Sequence, residues 1–95
     1  MINKEHRIKQ SASLLKAIGH PIRVEIILHL SRTKNMTVTE LSNTLSIHQP
    51  IISLHLAVLR KQNIIKVKKE GKKSIYSISD ISVKQIINII YHTRK

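Results

Sequence analysis

A mostly α-helical fold with one β-hairpin near its C-terminal end is what this sequence predicts, on three observations. Apolar residues recur at three- and four-residue spacing over most of the chain, the mark of amphipathic helices. The period drops to two only around residues 64–79, where Ile65 and Val67 alternate with Lys66 and Lys68, and Tyr76 and Ile78 with Ser77 and Ser79. Glycine and proline, two of each, stand at Gly19, Pro21, Pro50 and Gly71, all at expected element ends. The 95 residues leave room for one small domain, 1–95, and no linker or repeat divides it.

The first helix is expected from about Glu5 to Ile18, with Ile8, Ala12, Leu15 and Ile18 on one face. Gly19 closes it, as a residue that tolerates the left-handed conformation. His20 then caps a second helix that starts at Pro21, where a missing N–H costs nothing, and ends near Arg32. Its stripe is Ile22, Ile26, Ile27 and Leu30. Thr37 and Glu40 form a T-x-x-E capping box, which predicts a short third helix over Val38 to Leu45. The connection Ser46-Ile47-His48 leads to a fourth helix, about Gln49 to Gln62, buried through Ile52, Leu56 and Leu59. The hairpin follows, turning at Lys69-Glu70-Gly71-Lys72-Lys73. A last helix spans about Asp80 to Arg94.

That last helix is apolar on more than one side, through Ile81, Val83, Ile86, Ile87, Ile89, Ile90 and Tyr91. A helix of this kind needs two surfaces to cover it, and a chain this short is marginal by itself. The expectation is a homodimer joined through the first and last helices, about 5–18 and 80–94, with Ile8, Leu15 and position 83 (Val83) in the contact. On this reading Ile87→Asp produces monomers or unfolding, because it places a charge in the contact.

Composition narrows the function. There is no cysteine, which removes disulfides, thiol catalysis and cysteine-ligated zinc. No glycine-rich phosphate loop or paired carboxylate is present, and Ser53 and His55, two apart on a helix, point in different directions. An enzyme is not expected, nor a cofactor. No apolar run is long enough for a bilayer and the opening residues are too polar for a signal peptide, so the expected location is cytoplasmic, with no membrane partner. Seventeen Lys and Arg against five acidic residues give a net charge of +12. An AT-rich genome would raise Glu together with Lys, yet twelve Lys face four Glu. Such a field suits a polyanion.

Two short helices joined by a tight turn and followed by a lysine-rich hairpin have the layout of a winged helix-turn-helix, with the helix pair at about 38–62 and the wing at about 64–79. In that layout the second helix of the pair enters the DNA major groove. His48, Gln49, Ser53, Leu54, His55 and Arg60 lie between the buried positions of that helix and are its candidate DNA contacts. In the hairpin, Lys66, Lys68, Lys69, Lys72 and Lys73 put five positive charges, offset only by Glu70, within eight residues. Edge strands carry lysine to resist aggregation, but two or three would do that. Five suit a wing lying along the phosphate backbone.

The segment Leu14 to Ile27, with its Leu-Lys-Ala-Ile-Gly-His-Pro-Ile-Arg core, resembles the opening of ArsR/SmtB-type bacterial repressors. Thr39-Glu40-Leu41-Ser42 and the run from Gln49 to Arg60 are similar to the helix-turn-helix of that family. Ile64-Ile65, Lys69-Glu70-Gly71-Lys72 and Tyr76-Ser77-Ile78 resemble its wing. The resemblance covers roughly residues 8–92. It implies a homodimer that binds an imperfect inverted repeat in double-stranded operator DNA and represses transcription by blocking polymerase. It also implies that Gln49, Ser53 and His55 face DNA while the wing lysines meet phosphates.

The family's metal sites are not matched. The third-helix site uses cysteines in the segment corresponding to Thr39–Asn43, and none stands there. Of the last-helix site only Asp80 and a displaced His92 remain, with Ser82 and Thr93 where histidines belong. Zinc needs three or four ligands, so an improvised site of Asp80, His92 and a partner's His6 is a remote alternative. Glu25 and His29, an i, i+4 pair, read as a solvated or interhelical hydrogen bond. The inducer or partner protein is left open. Two other functions stay open as well: a low-specificity architectural nucleic-acid-binding protein, and a protein-interaction module on the same fold. Only two aromatics, Tyr76 and Tyr91, argue against stacking on single-stranded RNA.

Overall fold

The computed structural model describes residues 3–94, in the order α1 (Lys4–Ile18), α2 (Pro21–Thr33), β1 (Met36–Thr37), α3 (Val38–Leu45), α4 (Gln49–Lys61), β2 (Ile65–Glu70), β3 (Lys73–Ile78) and α5 (Ile81–Thr93). Five helices and a hairpin are present as the sequence predicts. A third strand is added: β1 pairs antiparallel with β3, Met36 opposite Tyr76 and Thr37 opposite Ile75, giving the sheet order β1-β3-β2. Two residues are too few to show a period in sequence, and β1 exists only because β3 offers it a free edge.

The helix ends are set by local chemistry. The Asn3 side chain accepts from the His6 N–H at 2.8 Å and starts α1. His20 Nδ1 accepts from the Ile22 N–H at 3.1 Å at the start of α2. Both halves of the capping box are made: the Thr37 N–H donates to Glu40 Oε1 at 2.9 Å and the Glu40 N–H donates to Thr37 Oγ1 at 3.1 Å. These bonds, backbone first, hold the Glu40 carboxyl below its ordinary pKa.

Gly19 departs from the expectation. Its φ of −84° is not left-handed, so α1 ends there without that conformation. A Cβ at Gly19 would meet the Leu15 carbonyl oxygen at 3.3 Å, and this close approach is what a side chain would disturb. Lys34 (φ 71°) closes α2 with its N–H donating to the Leu30 carbonyl at 3.0 Å, and left-handed backbone occurs at Ser46 (55°) and Asn63 (58°). Each of these last two follows a helix and closes it with a paired bond. After α3, the Ile47 N–H donates to the Ser42 carbonyl at 3.1 Å; after α4, the Ile64 N–H donates to the Leu59 carbonyl at 3.0 Å.

One core joins all the layers. Ile26, Ile27 and Leu30 of α2, Leu41 of α3, and Ile52, Leu56 and Leu59 of α4 are buried, with Ile64, Ile65 and Val83. Asn88 ties α5 to α2, its Nδ2 donating to Ser31 Oγ at 3.2 Å. Two positions expected at a protomer contact therefore lie elsewhere: Val83 is fully buried and Ile87 is 5% exposed, both within their own chain. They form the inward face of α5, because a helix packed on α2 must spend one of its apolar sides there. The other apolar positions remain uncovered, namely Ile81, Ile86, Ile89, Ile90 and Tyr91, together with Ile8 and Leu15 of α1. Ile87→Asp consequently tests the fold and not the pairing of chains. It should cost about 3 kcal/mol or more by burying an unpaired charge, seen as a large drop in thermal midpoint by circular dichroism.

Candidate nucleic-acid interface

The connection between α3 and α4 is short and held from several sides. Ser46 makes the left-handed step, Ser42 Oγ donates to the Ile47 carbonyl at 2.5 Å, and Ile47 packs against the core. His48 sits at the cap of α4 without a side-chain cap bond, and its carbonyl accepts from the N–H groups of Ile51 and Ile52 at 3.0 and 3.1 Å. Pro50 occupies the first turn, where no N–H is lost to the ladder.

With Ile52, Leu56 and Leu59 turned inward, the rest of α4 is displayed. His48, Gln49, Ser53, Leu54 and Arg60 are all exposed, as the sequence predicts. Gln49 is also held in place. Its Nε2 donates to Thr39 Oγ1 on α3 at 2.9 Å, leaving Oε1 and a second amide hydrogen free. Nothing in the sequence announces this bond, because Thr39 lies ten residues upstream and the two meet only when the helices cross.

His55 does not join this set. It is half-buried, its ring centroid lies 4.4 Å from that of His20, and its Nδ1 is shielded from solvent with no hydrogen-bond partner. The reason is helical phase: three residues from Ile52 and four from Leu59, it falls on the edge of the inward face beside the start of α2. Burial, then the nearby His20 and Arg23, hold its pKa below the ordinary histidine value. Arg23 Nε is likewise buried and unpartnered in this crossing of α2 and α4.

The wing is a hairpin whose strands pair from Ile65 opposite Ile78 to Glu70 opposite Lys73. Gly71, at φ 61°, begins the two-residue turn with the positive angle that such turns demand; a Cβ there would meet nothing, so the constraint is conformational. The five lysines do not share one direction. By strand alternation and register, Lys66, Lys68 and Lys73 lie on one face with Glu70, Lys69 lies on the other, and Lys72 is in the turn. All five are exposed, and Lys68 Nζ makes a 3.5 Å surface ion pair with Glu70. The wing is anchored at its base, where the Ser79 and Asp80 N–H groups donate to the Ile64 carbonyl at 2.9 and 3.1 Å. A surface recess bounded by Ser53, Ala57, Arg60, Lys61 and Tyr76 joins α4 to the wing.

No group of three or more His, Cys, Asp or Glu side chains is placed to hold a metal ion among the described residues. Asp80 caps α5, accepting from the Val83 N–H at 3.1 Å and from Ser82 Oγ at 2.6 Å. His92 stands at the other end of that helix, roughly 18 Å away along its axis. Glu25 and His29 make no ion pair; the one pair among the described residues is Lys68 with Glu70. No helix among them is long and apolar enough to cross a membrane.

The sequence model of the bacterial regulatory proteins of the arsR family matches residues 20–67, from the cap of α2 into β2. The chain belongs to the ArsR family. An HTH-type transcriptional regulator of Methanocaldococcus jannaschii is 37% identical, over 88% of this chain and 94% of its own length. The crystal structure of the transcriptional repressor PagR of Bacillus anthracis superposes with a TM-score of 0.84 at 30% identity, covering 92% of this chain and 99% of PagR. HlyU from Vibrio cholerae, named a transcriptional activator, superposes with a TM-score of 0.86 at 30% identity, covering 94% and 96%. ArsR-family chains are transcriptional regulators and not enzymes.

The half-buried position of His55 has a consequence for stability. A histidine whose folded pKa is depressed is protonated more readily in the unfolded chain, so its contribution is complete above about pH 6.5 and is lost as pH falls below that value. Thermal melts should show the wild-type midpoint falling more steeply between pH 7.5 and pH 5 than that of His55→Gln. Parallel curves would reject the assignment.

Proposed function

We propose that this ArsR-family chain is a sequence-specific double-stranded DNA-binding regulator, acting as a homodimeric repressor on an inverted-repeat operator in the cytoplasm. The observation that carries the proposal is the exposed α4, with Gln49 pre-set by Thr39, standing beside a wing of five exposed lysines. On this reading α4 lies in the major groove and presents His48, Gln49, Ser53 and Leu54 to base edges. Gln49 suits a bidentate contact with adenine, and Arg60 suits a phosphate. His55 is left out of the contact set and fixes the angle of α4 against α2.

The lysines have a different task. Lys66, Lys68, Lys69, Lys72 and Lys73 neutralise phosphates, which supplies affinity and salt dependence but little sequence information. PagR is named a repressor and HlyU an activator, so the direction of control is not a property of the fold. Repression needs only that the bound protein occupy the operator. With neither family metal site matched, the proposal includes no metal control.

Pairing of two chains is supported by the apolar surface that remains uncovered on α1 and α5. Ile8 and Leu15 are 57% and 55% exposed, and Ile89 is 63% exposed. Leu15 links the two helices, since it also lines a groove of about 700 Å³ with Ile90 and Tyr91. A continuous surface of this kind is a protein–protein contact more often than a solvated one.

Three measurements test the proposal. A duplex enriched from a random library should bind roughly 10³-fold or more tightly than random duplex at moderate salt, while a ratio near one would favour architectural binding. Lys72→Ala with Lys73→Ala should weaken all duplexes alike and flatten the salt slope by about two, whereas Gln49→Ala should relax preference at one base pair by about 1–3 kcal/mol. Ile89→Asp should leave the folded protomer intact but shift sedimentation toward single chains and lower operator affinity. A dimer with full affinity after that change would refute the interface.

A further inference from the structure

The reading helix is short of groups that can hydrogen-bond a base. His55 is turned inward, Arg60 lies in the last turn, and between His48 and Arg60 only Gln49 and Ser53 are exposed and polar. The centre of the outward face is apolar instead. Leu54 stands roughly 200° around the helix from Ile52, nearly opposite the core, and is 69% exposed, the most exposed large apolar side chain among the described residues. Ala57 and Pro50 flank it on one side and Ile51 and Val58 on the other, all exposed. A contiguous apolar patch held in water along the outward face of a helix costs solubility unless something covers it.

The charge around Leu54 selects the cover. It lies on the same helix as Arg60 and Lys61, beside a lysine-rich wing, in a chain of net charge +12. A protein partner for this face would have to be strongly acidic and apolar at once, whereas a DNA groove meets both demands. The major groove has one apolar feature, the C5-methyl group of thymine. We infer that Leu54 is a specificity-determining residue that reads a thymine methyl, so that the operator half-site carries an A·T pair under the middle of α4. The inference rests on the DNA-binding reading above and adds to it the chemistry of the site that is read. Gln49, suited to adenine through its amide, points to the same base composition five residues earlier.

The test replaces thymine by deoxyuridine, one position at a time, in a duplex enriched from a random library with the 95-residue chain. Deoxyuridine pairs as thymine does and lacks only the methyl. One position in each half-site should lose about fourfold in affinity, the equivalent of one buried carbon at about 0.8 kcal/mol. Leu54→Ala, an exposed substitution that keeps the helical circular-dichroism spectrum, should bind the thymine duplex more weakly and become indifferent to deoxyuridine at that position. The inference is overturned if no position responds, or if the response persists undiminished in Leu54→Ala. It is overturned equally if Leu54→Ala changes the sedimentation of the free protein and not its DNA affinity, since the face would then be a protein contact. Failure to enrich any duplex would instead strike the DNA-binding reading itself, because the enrichment step does not depend on Leu54.

Discussion

The seating of α4 in the core is the contact on which the rest of this molecule depends. Ile52, Leu56 and Leu59 are buried against α2, α3 and β2, and their phase decides which side chains of the helix are displayed. Rotating that helix by one residue would bring His55 out and turn Ser53 toward the core. The paired closing bonds at both ends, at Ser46 before it and Asn63 after it, resist such a rotation by fixing where the helix begins and stops. Charge then acts on a surface whose geometry hydrophobic packing has already settled.

The wing and the helix pair are one mechanical unit. Thr37 pairs with Ile75 in the sheet and caps α3 in the same residue, so the start of the helix pair is pinned to the hairpin. At the other end, the carbonyl of Ile64 receives the N–H groups of Ser79 and Asp80, and Asp80 caps α5. The start of α5 and the base of the wing thereby share one hydrogen-bonded junction at Ile64, Ser79 and Asp80. The short strand β1, which no periodicity reveals, closes the other side of this frame.

The two apolar surfaces differ in kind. On α5 one side is spent on the chain's own core, through Val83 and Ile87, and the opposite side is left for another surface. On α4 the uncovered apolar residues sit where polar ones would serve solubility better, amid positive charge. The exposed apolar residues of α1 likewise stand among charges, with Lys4, Arg7, Lys9 and Lys16 on the same helix, whereas α5 carries only Lys84 and His92.

Much of this was legible in one dimension. Helical and strand periods, the capping box at Thr37 and Glu40, His20 before Pro21, and glycine at the hairpin turn are local signals, and local signals survive in a sequence because neighbours in the chain stay neighbours in space. The net charge and the absence of cysteine are composition and need no fold at all. Contacts between distant segments are another matter. That Thr39 holds Gln49, that His55 packs on His20, and that Val83 and Ile87 face inward while Ile89 does not depend on how helices cross, and crossing is chosen by the packing of the whole core. Periodicity shows that a helix has an apolar side; only the assembled chain decides which neighbour covers it.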